Sequence, residues 1–378
     1  MAATALAGRC DRRFAAVGEA LAENFAVRGE RGAAVAVIVE GRPVVDIWGG
    51  WMDETCTRPW HRDTLVDVFS VGKAMAALCV LMLSERGRLD LGDRVSRHWP
   101  EFADAGKEAV TVRMLLAHRA GLPAVRRTIP EDAKYDWELM VDALAREEPW
   151  WKPGTTHGYH VITFGFLVGE IVRRICGESI GSFLRREVSG PLDADFHLGL
   201  AAREDDRVAQ YTFGSEPSGS PAAAAVDDDR RLLLDRVYLN PPGLSGLGTV
   251  NTREWRAAEI PSANAHATAR AVAQIYDALT GGRLLSADVL ADAIAEHSSG
   301  ADFVLGRPSR FGLGFQLTQP ERRLGPNARS FGHFGAGGSL GFADPDAGVA
   351  FAYVMNRSGP RWQNPRNRAL VDALYSCL

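Results

Sequence analysis

The tetrad Ser70-Val71-Gly72-Lys73 opens an apolar run, AMAALCVLML at residues 74–83, which predicts a helix buried on nearly every face. Residues three apart share one face of a helix, so the Ser70 hydroxyl and the Lys73 amine would point into the same cavity. A desolvated lysine, unlike arginine, can lose its proton and then accept one from serine. Only four lysines occur against 39 arginines, which favours a selective use of Lys73. The alternative is a capping serine with Lys73 reaching to solvent.

Composition limits the class of protein. The 378 residues can form a large core or two lobes, and 46% hydrophobic with 24% charged residues is typical of a globular protein. A net charge of -4 with dispersed arginines gives no reason to expect a nucleic acid or an acidic membrane as partner. Five scattered cysteines without a Cys-x-x-Cys pair favour a reducing compartment and disfavour zinc. The N-terminus lacks the pattern of a signal peptide, so we expect a cytoplasmic protein.

The pattern along the chain predicts an α+β fold with strands at both ends and helices between them. We expect one sheet built from both chain ends, in a discontinuous domain of residues 1–88 and 188–378, with an inserted helical domain at 89–187. The predicted elements are a helix at 13–28, a hairpin at 33–51, an exposed loop at 203–230, helices at 264–280 and 287–297, strands within 311–317, 330–345 and 348–357, and a helix at 364–376.

Two further segments carry candidate chemistry. Tyr159 ends the loop PGTTHGY, just before an amphipathic helix that reaches Gly177. Its phenol is either a packing group or, beside a lysine-activated serine, a proton shuttle with a pKa lowered by a nearby cation. The segment His333-Phe334-Gly335-Ala336 lies between two strand-like stretches. Its bare backbone could offer an N–H group to a developing oxyanion, although a bulge or a sharp turn is the alternative.

In this order, the three elements resemble the penicillin-recognising serine hydrolases: class C β-lactamases, D-alanyl-D-alanine peptidases and family VIII carboxylesterases. The segments TVRMLLAHRAGLP (111–123), PWWKPGTTHGYHVITFGFLVGEIVRR (149–174) and FGHFGAGGSLGFADP (331–345) look most like the esterase branch. The resemblance extends from about residue 30 to 375. It implies a β-lactamase/transpeptidase-like fold, in which an antiparallel sheet is flanked by helices and carries an inserted, mostly helical domain. The resemblance also implies that the active site lies in the cleft between the two domains.

The resemblance also implies roles for individual residues. Ser70 matches the nucleophile, Lys73 the base that activates it, and Tyr159 the proton relay of a Tyr-x-Asn motif. The backbone N–H groups of Ser70 and Ala336 would form the oxyanion hole. His333 stands where the relatives carry the lysine of Lys-Thr-Gly.

Departures from the pattern bear on the substrate. Val161 replaces the asparagine of Tyr-x-Asn, and His333 and Phe334 replace a permanent cation and a hydroxyl. A site without these polar partners discriminates poorly for a charged, amide-bearing substrate, so an uncharged ester or thioester fits better. The residues predicted to contact the substrate are His333, Phe334, Gly335, Val161 and Trp151, with Trp150 and Trp255 as further pocket candidates whose alternative is the buried core.

Two other motifs suggest a nucleophile elbow and a metal site, and the sequence disfavours both. Gly337-Gly338-Ser339-Leu340-Gly341 satisfies Gly-x-Ser-x-Gly, but a nucleophile elbow needs a helix after the serine, and a strand is predicted there. His157 and His160 lack a third metal ligand at useful spacing, so we expect no metal and no cofactor.

The sequence therefore predicts a serine hydrolase that forms an acyl-enzyme on a small-molecule ester, most simply a carboxylesterase for short-chain or uncharged acyl groups. An acyltransferase to an alcohol or amine of a specialised metabolite is the alternative. A β-lactamase or D-peptidase, or a non-catalytic scaffold, fits less well.

Overall fold

The computed structural model describes residues 4–214 and 228–378, and one large antiparallel sheet organises them. In chain order, the strands are β1 (Leu6–Cys10), β2 (Gly32–Val39), β3 (Arg42–Gly50), β4 (Val66–Phe69), β5 (Phe196–His197), β6 (Ala265–Ala267), β7 (Ser298–Ala301), β8 (Pro308–Phe311), β9 (Gln316–Leu317), β10 (Phe331–Phe334), β11 (Leu340–Asp344) and β12 (Val349–Met355). Nine of them form a sheet in the order β1-β3-β2-β12-β11-β10-β9-β8-β7. The other three form a small sheet in the order β4-β6-β5.

Helices cover the large sheet and fill the middle of the chain. They are α1 (Ala15–Val27), α2 (Val71–Glu85), α3 (Val112–Leu116), α4 (Trp137–Arg146), α5 (Thr163–Cys176), α6 (Ile180–Leu184), α7 (Asp228–Leu239), α8 (Arg253–Ala257), α9 (Ala269–Thr280), α10 (Ala287–Ala293) and α11 (Pro365–Ser376). Single turns of 3₁₀ or π geometry occur at Arg12–Phe14, Val95–Arg97, Pro100–Ala103, Glu131–Ala133, Arg185–Ser189, Ala202–Arg207 and Ala336–Gly338. Among the described residues, no helix is both long and apolar enough to cross a bilayer.

The centre of the large sheet joins the two ends of the chain. Strand β2 pairs antiparallel with β12, in a register that sets Ala36 opposite Ala352. Nearly every residue of both strands is apolar, as expected for strands covered on both faces. Helix α9 packs on β2, β11 and β12, while α1 packs against α11. The prediction of one sheet built from both chain ends, with helices between them, is confirmed.

Helix α2 is buried from Val71 to Leu83, as its apolar sequence predicted. It packs against α5, α6 and strand β10, so its first turn lies where the helical region meets the large sheet. Gly72 allows a close approach here, because a Cβ atom at this position would lie 2.6 Å from the carbonyl oxygen of Pro261. The segment that follows Pro261 is thereby held against the start of α2.

Parts of the predicted element pattern are wrong. Residues 203–230 do not form one exposed loop: Val208 and Tyr211 are buried, and α7 begins at Asp228, while residues 215–227 lie outside the described residues. The predicted helix at 264–280 begins only at Ala269, because residues 265–267 pair with both β4 and β5 as a strand.

Candidate active site

Ser70 stands at the start of α2, directly after a strained residue. Phe69 adopts a φ of 48°, a left-handed conformation that is uncommon for a bulky side chain. Its N–H group donates to Oδ1 of Asp67 at 2.7 Å, and Oδ2 of Asp67 accepts from Trp255 Nε1 at 2.7 Å. Burial raises the pKa of Asp67 to about 8. The turn that presents Ser70 is therefore fixed by a buried carboxyl group beneath it.

Lys73 meets Ser70 as the helical spacing predicted. The Lys73 Nζ atom lies 2.9 Å from Ser70 Oγ and 2.9 Å from the carbonyl oxygen of Ser262. Ser70 Oγ lies 3.2 Å from the same carbonyl oxygen. Within the described parts of the chain, no carboxylate pairs with this amine. Burial lowers the pKa of Lys73 well below its usual value, which favours the neutral amine that can accept a proton.

Tyr159 completes the cluster from the other side of Lys73. Its ring centre lies 4.8 Å from Lys73 Nζ, and its side chain is fully buried. The phenol oxygen has no hydrogen-bond partner of ordinary geometry among the described residues. Burial raises the pKa of Tyr159, and the nearby Ser70 hydroxyl opposes that shift only in part. The predicted lowering of this pKa is wrong, because the loss of hydration on burial outweighs the effect of the groups around the ring.

A carboxylate that the sequence analysis did not single out holds Tyr159 in place. The backbone N–H group of Tyr159 donates a hydrogen bond that both oxygens of Asp302 accept, at 3.0 and 3.1 Å. Asp302 also accepts from the N–H group of Val304 at 2.9 Å and from the Ser309 hydroxyl at 2.7 Å. His157 Nε2 lies 2.9 Å from Ser309 Oγ. Ser309 gives its proton to Asp302 and all three side chains are buried, so this Ser-His-Asp group is a positioning network and not a second nucleophile.

The histidines around Tyr159 bond to the backbone. His160 Nε2 accepts from the N–H group of Leu122 at 3.0 Å, and its Nδ1 atom lies 2.7 Å from the carbonyl oxygen of Gly158. His118 Nδ1 accepts from the N–H group of His160 at 3.1 Å, and its ring packs 5.1 Å from that of Tyr159. Burial lowers the pKa of His160 to about 4. In the portion of the chain that is described, no three His, Cys, Asp or Glu side chains are placed to hold a metal ion.

His333 faces the cluster from strand β10 as a neutral imidazole. Its Nδ1 atom lies 2.7 Å from the carbonyl oxygen of Phe334, and its ring centre is 6.0 Å from that of Tyr159. Nε2 has no hydrogen-bond partner among the described residues and carries the free lone pair when Nδ1 holds the proton. Burial lowers the pKa of His333 to about 3. Strand β10 therefore presents a hydrogen-bond acceptor, His333 Nε2, at a position where a lysine would place a positive charge.

Gly335 has a packing role that the sequence analysis did not foresee. A Cβ atom here would overlap Ser339 Oγ and the carbonyl oxygen of Val68. Its N–H group donates to the carbonyl oxygen of Ser339 at 2.7 Å, so it is not free for a ligand. Ser339 is fully buried, donates to the Val68 carbonyl oxygen at 3.1 Å and precedes strand β11, which agrees with the prediction that it is no nucleophile elbow.

Ser70 and Ala336 remain half-exposed beside these buried groups. Each stands at the start of a helical segment, where backbone N–H groups have no intrahelical acceptor. Tyr211 connects the two positions: its hydroxyl donates to the carbonyl oxygen of Ala336 at 3.2 Å, and its ring lies edge-on to Phe69 at 4.9 Å. Tyr211 falls in the segment predicted to be an exposed loop, so it was missed.

The residues predicted to line the substrate pocket lie in different surroundings. Val161 is half-buried, and Trp151 packs with Leu233 and Val304 in a small apolar cluster next to the Tyr159 loop. Phe334 is buried, and its N–H group donates to Gln316 Oε1 at 3.1 Å. Trp255 is fully buried, and its Nε1 atom donates to Asp67, which agrees with the alternative that it belongs to the core.

The structure thus brings together the three segments on which the resemblance to the penicillin-recognising serine hydrolases rests: Ser70 with Lys73, Tyr159, and the strand that carries His333. The family model described as Beta-lactamase matches residues 19–375. The esterase/β-lactamase LipL of Mycobacterium tuberculosis (strain ATCC 25618 / H37Rv) is 35% identical over 362 residues, which cover 93% of this chain and 82% of LipL. This chain belongs to the β-lactamase family.

Solved structures agree with this assignment. A family VIII carboxylesterase superposes with a TM-score of 0.91 at 38% identity, covering 99% of this chain and 100% of that one. A penicillin-binding protein homologue from Caulobacter crescentus superposes with a TM-score of 0.91 at 39% identity, over 99% and 100% of the two chains. The β-lactamase/transpeptidase-like fold expected from the sequence is confirmed.

Proposed function

We propose that this protein is a carboxylesterase that works through an acyl-enzyme on Ser70. The observation that carries the proposal is the 2.9 Å contact between Ser70 Oγ and a fully buried Lys73 Nζ. Without a carboxylate to hold its proton, this amine is a base poised on the nucleophile. The similarity to LipL, which is named an esterase/β-lactamase, and to a family VIII carboxylesterase supports an ester as substrate.

The reaction then follows from the positions of the groups. Ser70 Oγ attacks the ester carbonyl while its proton passes to the neutral amine of Lys73. The N–H groups of Ser70 and Ala336 stabilise the oxyanion, each contributing roughly 3 kcal/mol to lowering the barrier. Tyr159 delivers a proton to the leaving alcohol as the carbon–oxygen bond breaks. Water then enters, gives a proton to the same relay and releases the acid from Ser70.

The acyl group we propose is short or uncharged. Strand β10 carries the neutral ring of His333 and the apolar ring of Phe334, at the positions that correspond to the lysine and threonine of the Lys-Thr-Gly motif. Val161 offers no amide to a substrate side chain. Such a surface gains little from a charged or amide-bearing acyl group, because it would leave that group without partners.

Intact-mass spectrometry after mixing with p-nitrophenyl butyrate tests the proposal. We expect a mass increase equal to one butyryl group, located on Ser70, and p-nitrophenol release that is lost in Ser70→Ala. Ser339→Ala is the matched control, because it removes the serine of the Gly-x-Ser-x-Gly segment and should still be acylated. Acylation that persists in Ser70→Ala would overturn the proposal. Adding alcohol acceptors separates the alternative: a faster turnover and a new ester would indicate an acyltransferase.

A further inference from the structure

The two halves of the proposed oxyanion site come from segments that are far apart in the chain. Ser70 follows strand β4, and Ala336 begins the single 3₁₀ turn that follows β10. Among residues 4–214 and 228–378, neither of their backbone N–H groups donates to a protein acceptor. Two free donors can serve one oxyanion only when the segments that carry them are held at a fixed separation. Contacts that join the two segments therefore bear on the site.

Tyr211 touches both segments with one buried side chain. Its hydroxyl donates to the carbonyl oxygen of Ala336 at 3.2 Å. Its ring lies edge-on to that of Phe69, the residue before Ser70, with 4.9 Å between ring centres. A Cβ atom at Gly337 would overlap the Tyr211 hydroxyl oxygen, so the 3₁₀ turn closes directly on the phenol. One rigid ring therefore spans the space between the segments that carry the two donors.

The backbone of Tyr211 is itself held in place. Its N–H group donates to Asn251 Oδ1 at 2.8 Å, and Asn251 Nδ2 donates back to the Tyr211 carbonyl oxygen at 2.8 Å. The next N–H group, that of Thr212, donates to the carbonyl oxygen of Asn356, just after strand β12, at 2.8 Å. The phenol therefore projects from a backbone that is bonded on both sides, as a fixed spacer requires.

The rest of the 3₁₀ turn is anchored without Tyr211. The carbonyl oxygen of Gly337 accepts from Asn364 Nδ2 at 3.1 Å, and that of Gly338 accepts from Asn367 Nδ2 at 2.9 Å. Both asparagines belong to the start of helix α11. Loss of the Tyr211 hydroxyl should therefore loosen only the first peptide group of the turn, next to the proposed oxyanion donor, and leave the fold intact.

From these contacts we infer that Tyr211 is a positioning residue for the oxyanion site. The inference rests on the proposed function, in which the N–H groups of Ser70 and Ala336 receive the negative charge of the reacting carbonyl oxygen. Tyr211 acts through the segments that carry these groups and not on the substrate. Preorganised donors lower a barrier because they need no reorientation when the charge develops. Loss of the Tyr211 hydroxyl therefore lowers kcat more than it changes KM.

Two substrates that differ in one atom test the inference: p-nitrophenyl butyrate and its thiono ester, in which sulfur replaces the carbonyl oxygen. Sulfur is larger than oxygen and accepts hydrogen bonds more weakly, so a well-formed oxyanion site favours the oxygen ester. The readout is the ratio of the two kcat/KM values, oxygen ester over thiono ester, in each protein. Misfolded protein lowers both values equally and leaves this ratio unchanged. We expect the ratio to fall about three- to tenfold in Tyr211→Phe.

Tyr375→Phe is the matched control. Its hydroxyl donates to Asp344, so this variant also loses a hydrogen bond from a phenol. Asp344 ends strand β11, whereas the 3₁₀ turn precedes the start of that strand. We expect the wild-type ratio in Tyr375→Phe. A wild-type ratio in Tyr211→Phe, or an equal fall in Tyr375→Phe, would overturn the inference.

Binding of butylboronic acid separates the role of Tyr211 from ester hydrolysis. Ser70 Oγ forms a bond to boron while its proton passes to Lys73, which gives a tetrahedral boronate anion with one oxygen in the oxyanion site. No turnover is needed, so the dissociation constant reports on the site even if the wild-type protein hydrolyses neither ester. We expect Tyr211→Phe to weaken binding about three- to tenfold and Tyr375→Phe to leave it unchanged.

The outcomes of the boronate experiment distinguish the two proposals. Equal affinity in wild-type protein and Tyr211→Phe would contradict the positioning role. Boronate binding that depends on Tyr211, in a protein that hydrolyses no ester, would contradict the proposed function alone. A wild-type protein that neither binds the boronate nor hydrolyses an ester would contradict both.

Discussion

The Nζ atom of Lys73 lies 4.8 Å from the centre of the Tyr159 ring, and both side chains are fully buried. Burial acts on the two groups in opposite directions: it lowers the pKa of the amine and raises the pKa of the phenol. Burial therefore favours the uncharged form of each group. When Ser70 gives up its proton and attacks, negative charge develops on the substrate oxygen, where the proposed oxyanion site can stabilise it.

The pH dependence of kcat/KM should reflect Lys73. Activity requires the neutral amine, so it is lost as the pH falls through the pKa of Lys73 in the folded protein. Because that pKa is well below 10.5, activity should persist far below this pH. Lys73→Arg should lower kcat by about 10²–10⁴ at every pH, since arginine keeps its proton. Lys134→Arg, which alters a surface ion pair with Glu131, is the control, and an equal loss in both would contradict the assignment.

Tyr159→Phe should separate catalysis from stability. Removing the phenol should lower kcat by about 10²–10⁴. The free energy of unfolding should stay the same or rise by about 1 kcal/mol, because this buried hydroxyl has no hydrogen-bond partner among residues 4–214 and 228–378. Tyr276→Phe is the matched control: its hydroxyl is likewise buried and has no partner in these parts of the chain, but it lies in the core beside Phe331. Denaturant unfolding and steady-state kinetics together measure the difference, and unchanged kcat in Tyr159→Phe would refute the relay.

Asp302→Asn tests how Tyr159 is positioned. The amide retains one oxygen but turns an NH₂ group toward buried donors, so unfolding free energy should fall by about 1–3 kcal/mol. We expect kcat to fall about tenfold or more with a smaller change in KM, because the displaced phenol affects proton transfer more than binding. Ser309→Ala removes one hydrogen bond to the same carboxylate without freeing the Tyr159 N–H group, and its effect on kcat should be smaller. Wild-type kcat in a folded Asp302→Asn protein would exclude the positioning role.

Gly335→Ala should destabilise the protein. The added methyl group would overlap Ser339 Oγ and the Val68 carbonyl oxygen, at a cost of about 1–3 kcal/mol. Gly18→Ala, in helix α1, provides a control of opposite sign. The nearest atom outside the helix backbone, Cys10 Sγ, would lie 3.9 Å from the new methyl group, so the free energy of unfolding should rise by about 0.5–1 kcal/mol. Thermal denaturation of the two variants checks both signs.

Local periodicity was sufficient to predict much of the fold and the centre of the site. The spacing of Ser70 and Lys73 follows from one helical turn, and the alternation near both chain ends indicated the shared sheet. The short strand Ala265–Ala267 escaped prediction, because three residues carry too little pattern and its pairing comes from two distant strands.

Other parts of the site depend on contacts between distant segments. Asp302 reaches Tyr159 across 143 residues, and Tyr211 reaches Ala336 across 125, with no motif that marks either residue. The shift in the pKa of Tyr159 was predicted in the wrong direction. The ring is buried because Phe311 and Trp362 pack against it, and the sequence of its own loop does not reveal these contacts.

The pairing of β2 with β12 also constrains when the protein can become active during folding. The two strands come from opposite ends of the sequence, so closing the centre of the sheet requires a very long loop to be ordered first. Helix α2 rests on β10, and β10 is connected to β2 only through β11 and β12. The sheet that supports helix α2, and with it Ser70, is therefore incomplete until β12 has paired with β2. A partly folded or prematurely shortened chain would carry the serine and the lysine without the geometry to use them.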